Sequence, residues 1–81
     1  MLVYNDFSQR ICEALSVDAG QPIEVAASLY NDLGLDSFQA FQLIVVIESL
    51  AAVSIPPAEL PYLYTMEDAY SYYCSLIDRH E

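Results

Sequence analysis

The chain has 81 residues, enough for a single domain with a modest core, and its apolar fraction of 56% predicts a folded protein. Twelve acidic residues against two arginines give a net charge of −10. This charge excludes electrostatic binding to nucleic acid and to anionic membrane surfaces, and it favours basic surfaces on partner proteins. No apolar run reaches the roughly 18 residues that a membrane-spanning helix needs.

The cellular location is predicted from the cysteines and the amino-terminal segment. Cys12 and Cys74 are too few for a disulfide framework and are expected to be small apolar side chains in a reducing cytoplasm. The first residues lack the basic segment and apolar stretch of a secretory signal. We therefore expect a cytoplasmic monomer with one domain over residues 1–81. The start at Met1 and the short tail suggest a free-standing protein.

The first predicted helix runs from about Leu2 to Ser16, and a long connection follows from about Val17 to Asp36. The helix has apolar residues at four-residue spacing, which form a buried stripe: Val3, Phe7, Ile11 and Leu15. The connection is unusually long for a compact small domain, and such loops are often functional. Its apolar residues are expected to pack on the core: Ile23, Val25, Leu29, Leu33 and Leu35.

The second predicted helix runs from Ser37 to about Ala52. Asp36 is a favourable N-cap, and Gln39 three residues later completes a capping-box pair. The segment from Val53 to Pro57 is expected to end the helix, because its two prolines cannot continue it.

A short helical turn is predicted over Pro57–Leu60. The final helix is expected to begin after Thr65 and to run to about Asp78, with Asp68 as the partner of Thr65 at its start. The sequence thus predicts an all-α fold. It is a small four-helix bundle, with three main helices, one short helix and a long loop between the first and second helices.

The second helix has apolar residues on two sides. One side is expected to pack on the core: Ala40, Leu43, Val46, Ile47, Leu50 and Ala51. A second stripe lies nearly opposite: Phe38, Phe41 and Val45, with the polar Gln42 and Glu48 beside them. A small bundle can hardly bury one helix on every side, so we expect this stripe to face a partner protein. The alternative is that Phe38 and Phe41 fold back under the long loop.

Ser37 is the main candidate for chemistry, because its hydroxyl lies at the first turn of the second helix. The unpaired N–H groups and the positive dipole end of a helix favour an anion there, so a phosphodiester on Ser37 would be partly stabilised. The alternative is that Ser37 is an ordinary helix cap.

The segment DLGLDSF at 32–38 resembles the signature of acyl and peptidyl carrier proteins. The resemblance extends to Leu43 and Glu48 in the second helix, to Ile55–Pro56 after it and to Thr65–Ala69 before the closing aromatics. It implies that Ser37 carries 4′-phosphopantetheine, that Asp36 assists recognition by the transferase, and that the second helix docks partner enzymes. The chain would then be a carrier of thioester-linked cargo and not an enzyme.

The chain departs from fatty-acid carriers because its second helix has one acidic residue, Glu48. The expected partner surface is therefore more apolar: Phe38, Phe41, Gln42, Val45 and Glu48. We interpret this as an acyl carrier of polyketide or hybrid biosynthesis. The expected partners are a phosphopantetheinyl transferase, an acyl-loading or adenylate-forming enzyme, and ketosynthase, condensation or tailoring enzymes. The Asp-Ser-Phe triplet also resembles D-alanyl carrier proteins, which leaves open an aminoacyl or peptidyl carrier of a D-alanyl or nonribosomal pathway.

Three other functions compete with the carrier. An unmodified acidic helical adaptor would bind a basic protein through Phe38, Phe41 and Val45. A calcium site in the loop 31–36 is disfavoured, because this loop lacks the alternating oxygen ligands and closing glutamate of an EF-hand. An enzyme is disfavoured because the one histidine, His80, is next to the carboxyl terminus, and no set of nucleophile and base is recognisable. No metal ligands are therefore assigned.

Overall fold

The computed structural model describes residues 2–17, 23–54 and 62–79. Three helices account for most of this part of the chain: α1 (Tyr4–Ala14), α2 (Ser37–Ala51) and α3 (Met66–Arg79). Within these ranges the extended chain forms one isolated antiparallel bridge, between Ser28 and Thr65. The all-α prediction is confirmed. The short helical turn predicted at Pro57–Leu60 lies outside the described residues.

The starts of α2 and α3 were predicted correctly because both use side-chain caps. Asp36 accepts a hydrogen bond from the Gln39 N–H at 2.8 Å, and the Gln39 side chain accepts the Asp36 N–H at 3.2 Å. At α3, the Thr65 hydroxyl accepts the Asp68 N–H at 3.1 Å, while the Asp68 carboxylate accepts the Thr65 N–H at 3.2 Å. Each pair satisfies backbone N–H groups that have no partner inside the helix.

The ends of α1 and α2 have a common geometry that does not depend on proline or glycine. Ser16 and Ala52 both adopt the left-handed conformation, with φ of 56° and 57°. After Ala52, the Val53 N–H donates to the Glu48 carbonyl, and after Ser16 the Val17 N–H donates to the Cys12 carbonyl. These are Schellman-type ends. The predicted end of α2 near Ala52 is confirmed, but the left-handed turn at Ala52, rather than a proline, is what ends the helix.

The core forms where the three helices and the long connection meet. Its buried apolar side chains are Phe7, Ile11, Leu15, Leu29, Leu35, Leu43, Ile44, Ile47, Leu63, Met66, Ala69, Tyr73 and Leu76. Val3 was wrongly predicted to belong to it. That side chain is 63% exposed, because Val3 precedes the first turn of a helix that begins only at Tyr4. Val25, which was also predicted to pack on the core, is 46% exposed.

Backbone hydrogen bonds attach the long connection to the start of α3. The Leu29 N–H donates to the Tyr64 carbonyl at 2.8 Å, and the Glu67 N–H donates to the Val25 carbonyl at 2.8 Å. At its other end the connection is held to α1, since the Tyr4 hydroxyl donates to the Ile23 carbonyl at 2.7 Å. The described part of this loop is therefore a fixed structural layer, which holds the residues before α2 in place.

Candidate functional site

Ser37 is the first residue of α2 and is exposed. The cap of this helix is the Asp36 carboxylate, so the Ser37 hydroxyl is not needed for capping. That hydroxyl makes no hydrogen bond to any residue in the described ranges. The interpretation of Ser37 as the helix cap is wrong, because the side chain one residue earlier has that role. The structure leaves an accessible hydroxyl at a fixed helix start.

The segment before Ser37 is held by the core and by the long connection. Leu35 is 5% exposed, and its N–H donates to the Leu29 carbonyl at 3.0 Å. Gly34 makes the turn into this segment with φ of +70°, a conformation that glycine adopts without strain. A Cβ added at Gly34 would meet nothing within 4 Å, so glycine is required there by conformation and not by space. Together these contacts fix the position from which Ser37 projects.

The start of α2 suits a phosphodiester on Ser37. The Asp36 side chain accepts the Gln39 N–H. The N–H groups of Ser37 and Phe38 lie in the first turn, where a helix provides no backbone acceptor. They and the helix dipole favour negative charge on the neighbouring hydroxyl. The exposed side chain leaves room for a long substituent. The residues present therefore fit a phosphate-linked group at this position.

The second apolar stripe of α2 is exposed. Phe38 is 68% exposed, Phe41 52% and Val45 47%. Gln42 beside them is exposed and Glu48 is half-buried. The alternative that Phe38 and Phe41 fold back under the loop is wrong. Three large apolar side chains along one helix face, beginning next to Ser37, form a surface that a partner protein can cover.

The sequence predicts Tyr70 and Tyr73 on the buried face of the last helix, but it does not assign Tyr62 and Tyr64 to the surface or to the core. Tyr73 lies in the core at 2% exposure and stacks on Phe7, with ring centroids 5.0 Å apart. Tyr62 and Tyr64 are instead exposed and stack on each other. The i, i+2 spacing of Tyr62 and Tyr64 in an extended segment was the available signal, because such residues point to the same side.

The groups with shifted pKa values lie on α1 and α3, not at Ser37. Burial raises the pKa of Tyr4 and of Tyr70 above that of a free tyrosine, and burial raises the pKa of the Cys12 thiol. Among the described residues no cluster of three or more His, Cys, Asp or Glu side chains could hold a metal ion. None of the helices in these ranges is long and apolar enough to cross a membrane.

A family match and the most similar curated proteins point to the same kind of protein. Residues 5–65, which include Ser37, match the family described as "Phosphopantetheine attachment site". The chain is 32% identical over 72 residues to an acyl carrier protein of Campylobacter concisus, covering 89% of this chain and 92% of the relative. It is 31% identical to acyl carrier proteins of Campylobacter jejuni subsp. doylei and of Helicobacter acinonychis. These matches cover 89% of this chain and 92% and 91% of those relatives.

Proposed function

Because this chain belongs to the acyl carrier protein family, with a phosphopantetheine attachment domain over residues 5–65, we propose that Ser37 is the residue that carries 4′-phosphopantetheine. In such a carrier the bound group supplies a thiol that holds acyl groups as thioesters. The protein is a carrier and not an enzyme. The match to an attachment domain favours this function over an unmodified adaptor.

The observation that supports Ser37 is its exposed, unbonded hydroxyl beside a separate cap. Two other described serines have engaged hydroxyls, since Ser8 donates to the Asn5 carbonyl and Ser75 donates to the Tyr72 carbonyl. Thr65 occupies the equivalent helix start at α3, but its hydroxyl accepts the Asp68 N–H. Ser37 thus combines access, a fixed position and a helix start that stabilises a phosphodiester.

In the proposed modification, the Ser37 hydroxyl oxygen forms a bond to the phosphorus that carries the pantetheine of coenzyme A. The pyrophosphate bond of coenzyme A breaks, and adenosine 3′,5′-bisphosphate leaves. The hydroxyl proton passes to a base of the transferase. Asp36 supports this step by fixing the first turn of α2, so that Ser37 projects from a formed helix.

We further propose that the partner surface consists of Phe38, Phe41, Gln42, Val45 and Glu48. The centre of this surface is apolar and it has a single carboxylate. It suits partner enzymes with an apolar pocket for the carrier's aromatic side chains, rather than enzymes with a basic patch for several acidic residues of the carrier. This composition supports a pathway of polyketide or hybrid type, with ketosynthase, condensation or tailoring enzymes as partners. A cytoplasmic location belongs to the same proposal, since coenzyme A must be available.

The first experiment is intact-mass measurement after incubation with coenzyme A and a broad-specificity phosphopantetheinyl transferase. We expect the wild-type chain to gain one phosphopantetheine. Ser37→Ala should gain none, and the matched control Ser49→Ala, which changes another exposed serine of α2, should load normally. Loading of a folded Ser37→Ala variant would contradict the assignment. Acyl-loading and adenylate-forming enzymes offered to the loaded protein would then separate acyl from aminoacyl cargo.

The partner surface is tested with Phe41→Asp. Because Phe41 is 52% exposed, we expect the change to slow turnover by a partner enzyme while the helical circular dichroism and the unfolding midpoint stay close to wild type. A variant that mainly unfolds would place Phe41 in the core and contradict the proposed surface.

A further inference from the structure

Asp32 closes a tight turn in the long connection, shortly before Ser37 in the chain. Its carboxylate accepts the Ser28 N–H at 2.7 Å, and the Ser28 hydroxyl accepts the Asn31 N–H at 3.1 Å. The Ser28 carbonyl in turn accepts the N–H groups of Asp32 and Leu33, at 3.0 and 3.1 Å. Four hydrogen bonds therefore close this turn at Ser28, and the bond to the carboxylate is of the stronger, charge-assisted kind.

The turn brings the chain back to Leu29, the residue at which it left the core. Leu29 is fully buried, its N–H donates to the Tyr64 carbonyl at 2.8 Å, and its carbonyl accepts the Leu35 N–H at 3.0 Å. Leu35 is itself buried. The side chain, the N–H and the carbonyl of Leu29 are thus all held in one place. The direction in which the chain continues after Leu35 therefore depends on the turn between these two leucines.

Asp32 is separate from the groups that surround the Ser37 hydroxyl. The cap of α2 is the Asp36 carboxylate, whereas the Asp32 carboxylate is bonded to Ser28. Asp32 also lies outside the proposed partner surface on α2. Its influence on Ser37 therefore passes through the backbone, because the segment that it closes ends at Leu35 and Ser37 follows Leu35 by two residues.

On the premise that Ser37 carries the arm, we propose that Asp32 is a positioning residue for the attachment of this arm. The Asp32 carboxylate keeps the turn closed, and the closed turn presents the Ser37 hydroxyl to the transferase in one orientation. Attack on the phosphorus of coenzyme A needs this orientation, because a misplacement of about 1 Å can lower a rate on the order of a hundredfold. The proposal thus requires a hydrogen-bond acceptor on residue 32, and not a negative charge that contacts the transferase.

The test compares Asp32→Ala, which removes the acceptor, with Asp32→Asn, which keeps an acceptor and removes the charge. Intact-mass measurement first establishes that the wild-type chain, but not Ser37→Ala, gains one phosphopantetheine. Initial rates of loading then give kcat and KM with the carrier as the varied substrate. We expect Asp32→Ala to lower kcat about tenfold and to leave KM within about twofold, because the docking residues of α2 are unchanged. Asp32→Asn should stay within about threefold of wild type in both constants.

Two controls separate positioning from a general loss of charge or of fold. Glu24→Ala removes another exposed carboxylate of the same connection, whose side chain makes no hydrogen bond to a described residue, and it should leave kcat and KM as in wild type. Hydrogen exchange of the Leu35 amide, followed by NMR, should be about tenfold faster in Asp32→Ala than in Asp32→Asn, because an open turn no longer holds this amide on the Leu29 carbonyl. Circular dichroism checks that each variant is folded.

Equal losses of kcat in Asp32→Ala and Asp32→Asn overturn the proposal, because the charge and not the acceptor would then matter. A wild-type kcat in folded Asp32→Ala, or a change confined to KM, overturns it as well. If Asp32→Ala does not fold, Asp32→Glu takes its place, since it keeps the charge and displaces the acceptor, and its kcat should lie below that of Asp32→Asn. The reverse order contradicts positioning. The mass gain of the wild-type chain stands in every case, so failure here is distinct from failure of Ser37 as the attachment residue.

Discussion

Helices α2 and α3 begin with the same kind of reciprocal cap but use it differently. At α3 the hydroxyl of Thr65 is itself the cap and accepts the Asp68 N–H. At α2 a carboxylate caps the helix, and the hydroxyl of Ser37 stands one residue later without a partner among the described residues. At α2, therefore, one residue caps the helix and the next has an unbonded hydroxyl. At α3 the hydroxyl is engaged as the cap.

The two helices also differ in what they bury. The fully buried residues of α3, Met66 and Ala69, lie on one face with Tyr73 and Leu76. In α2 the buried residues are Leu43, Ile44 and Ile47, yet Phe38 and Phe41 remain exposed on another face. The helix with the surplus apolar face is the one that begins with the unbonded hydroxyl of Ser37. This comparison supports α2 as the partner-binding helix and α3 as a structural one.

The largest expected difference is in side-chain truncation. Met66→Ala removes a fully buried side chain of α3 and should lower the free energy of unfolding by about 2–5 kcal/mol. Phe41→Ala on α2 should lower it by less than about 1 kcal/mol, because half of that ring is already in water. Urea unfolding followed by circular dichroism measures both. Equal losses would erase the distinction between a structural and a partner-facing helix.

The next largest effect separates the two caps. Asp36→Ala should lower the free energy of unfolding by about 1 kcal/mol or somewhat more, because α2 has no acidic residue in its first turn that could replace the cap. Thr65→Ala should cost less, because the Asp68 carboxylate still accepts the N–H groups of Tyr64 and Thr65. The same urea experiment ranks the pair, with Ser37→Ala as a control that should stay within about 0.5 kcal/mol of wild type. A larger loss for Thr65→Ala would reverse the predicted order.

A smaller gain is expected at the carboxyl end of α2. Ala52→Gly should raise the free energy of unfolding by up to about 1 kcal/mol, since φ of 57° strains alanine and suits glycine. Ala51→Gly, one residue earlier inside the helix, is the matched control and should be destabilising by roughly 0.5–1 kcal/mol. Thermal melts distinguish the two signs.

The smallest effect is a pH dependence that arises on the α1–α3 side. Burial raises the pKa of Tyr4 and Tyr70 above the ordinary 10.0 and that of Cys12 above 9.0. Above these ordinary values the unfolded chain loses protons that the folded chain keeps, so stability should be intact below about pH 9 and should fall as pH rises. The urea midpoint at about pH 8 and about pH 10.5 measures this. Tyr70→Phe should reduce the fall of the urea midpoint between these two pH values. An unchanged fall in this variant would mean that other groups cause the pH dependence.

Much of the architecture was predictable because its signals are local. The pairs Asp36–Gln39 and Thr65–Asp68 mark two helix starts correctly, since a cap needs residues only three positions apart. The approximate ends were predicted as well, but their left-handed geometry was not, because Ser16 and Ala52 take a conformation that sequence normally signals with glycine. Backbone hydrogen bonds from Val17 to Cys12 and from Val53 to Glu48 close these two turns.

The candidate site was predictable in part. The exposure of Phe38 and Phe41 followed from the two-sided apolar pattern of α2. The free state of the Ser37 hydroxyl did not, because a serine at this position is by itself indistinguishable from a cap. The hydrogen bonds of Leu29 to Tyr64 and to Leu35 hold the segment before Ser37, but they join distant parts of the chain and leave no local sequence signal.

The attachment of the long connection to α3 also has a consequence for folding kinetics. Leu29 and Tyr64, and likewise Val25 and Glu67, come from opposite halves of the chain. Contacts at such sequence separation must close a large loop before they gain any energy, which slows folding relative to a bundle built from local contacts. The turn that positions Ser37 depends on Leu29, so this turn is expected to form late. A transferase would then meet the serine in its final geometry only after the two halves have joined.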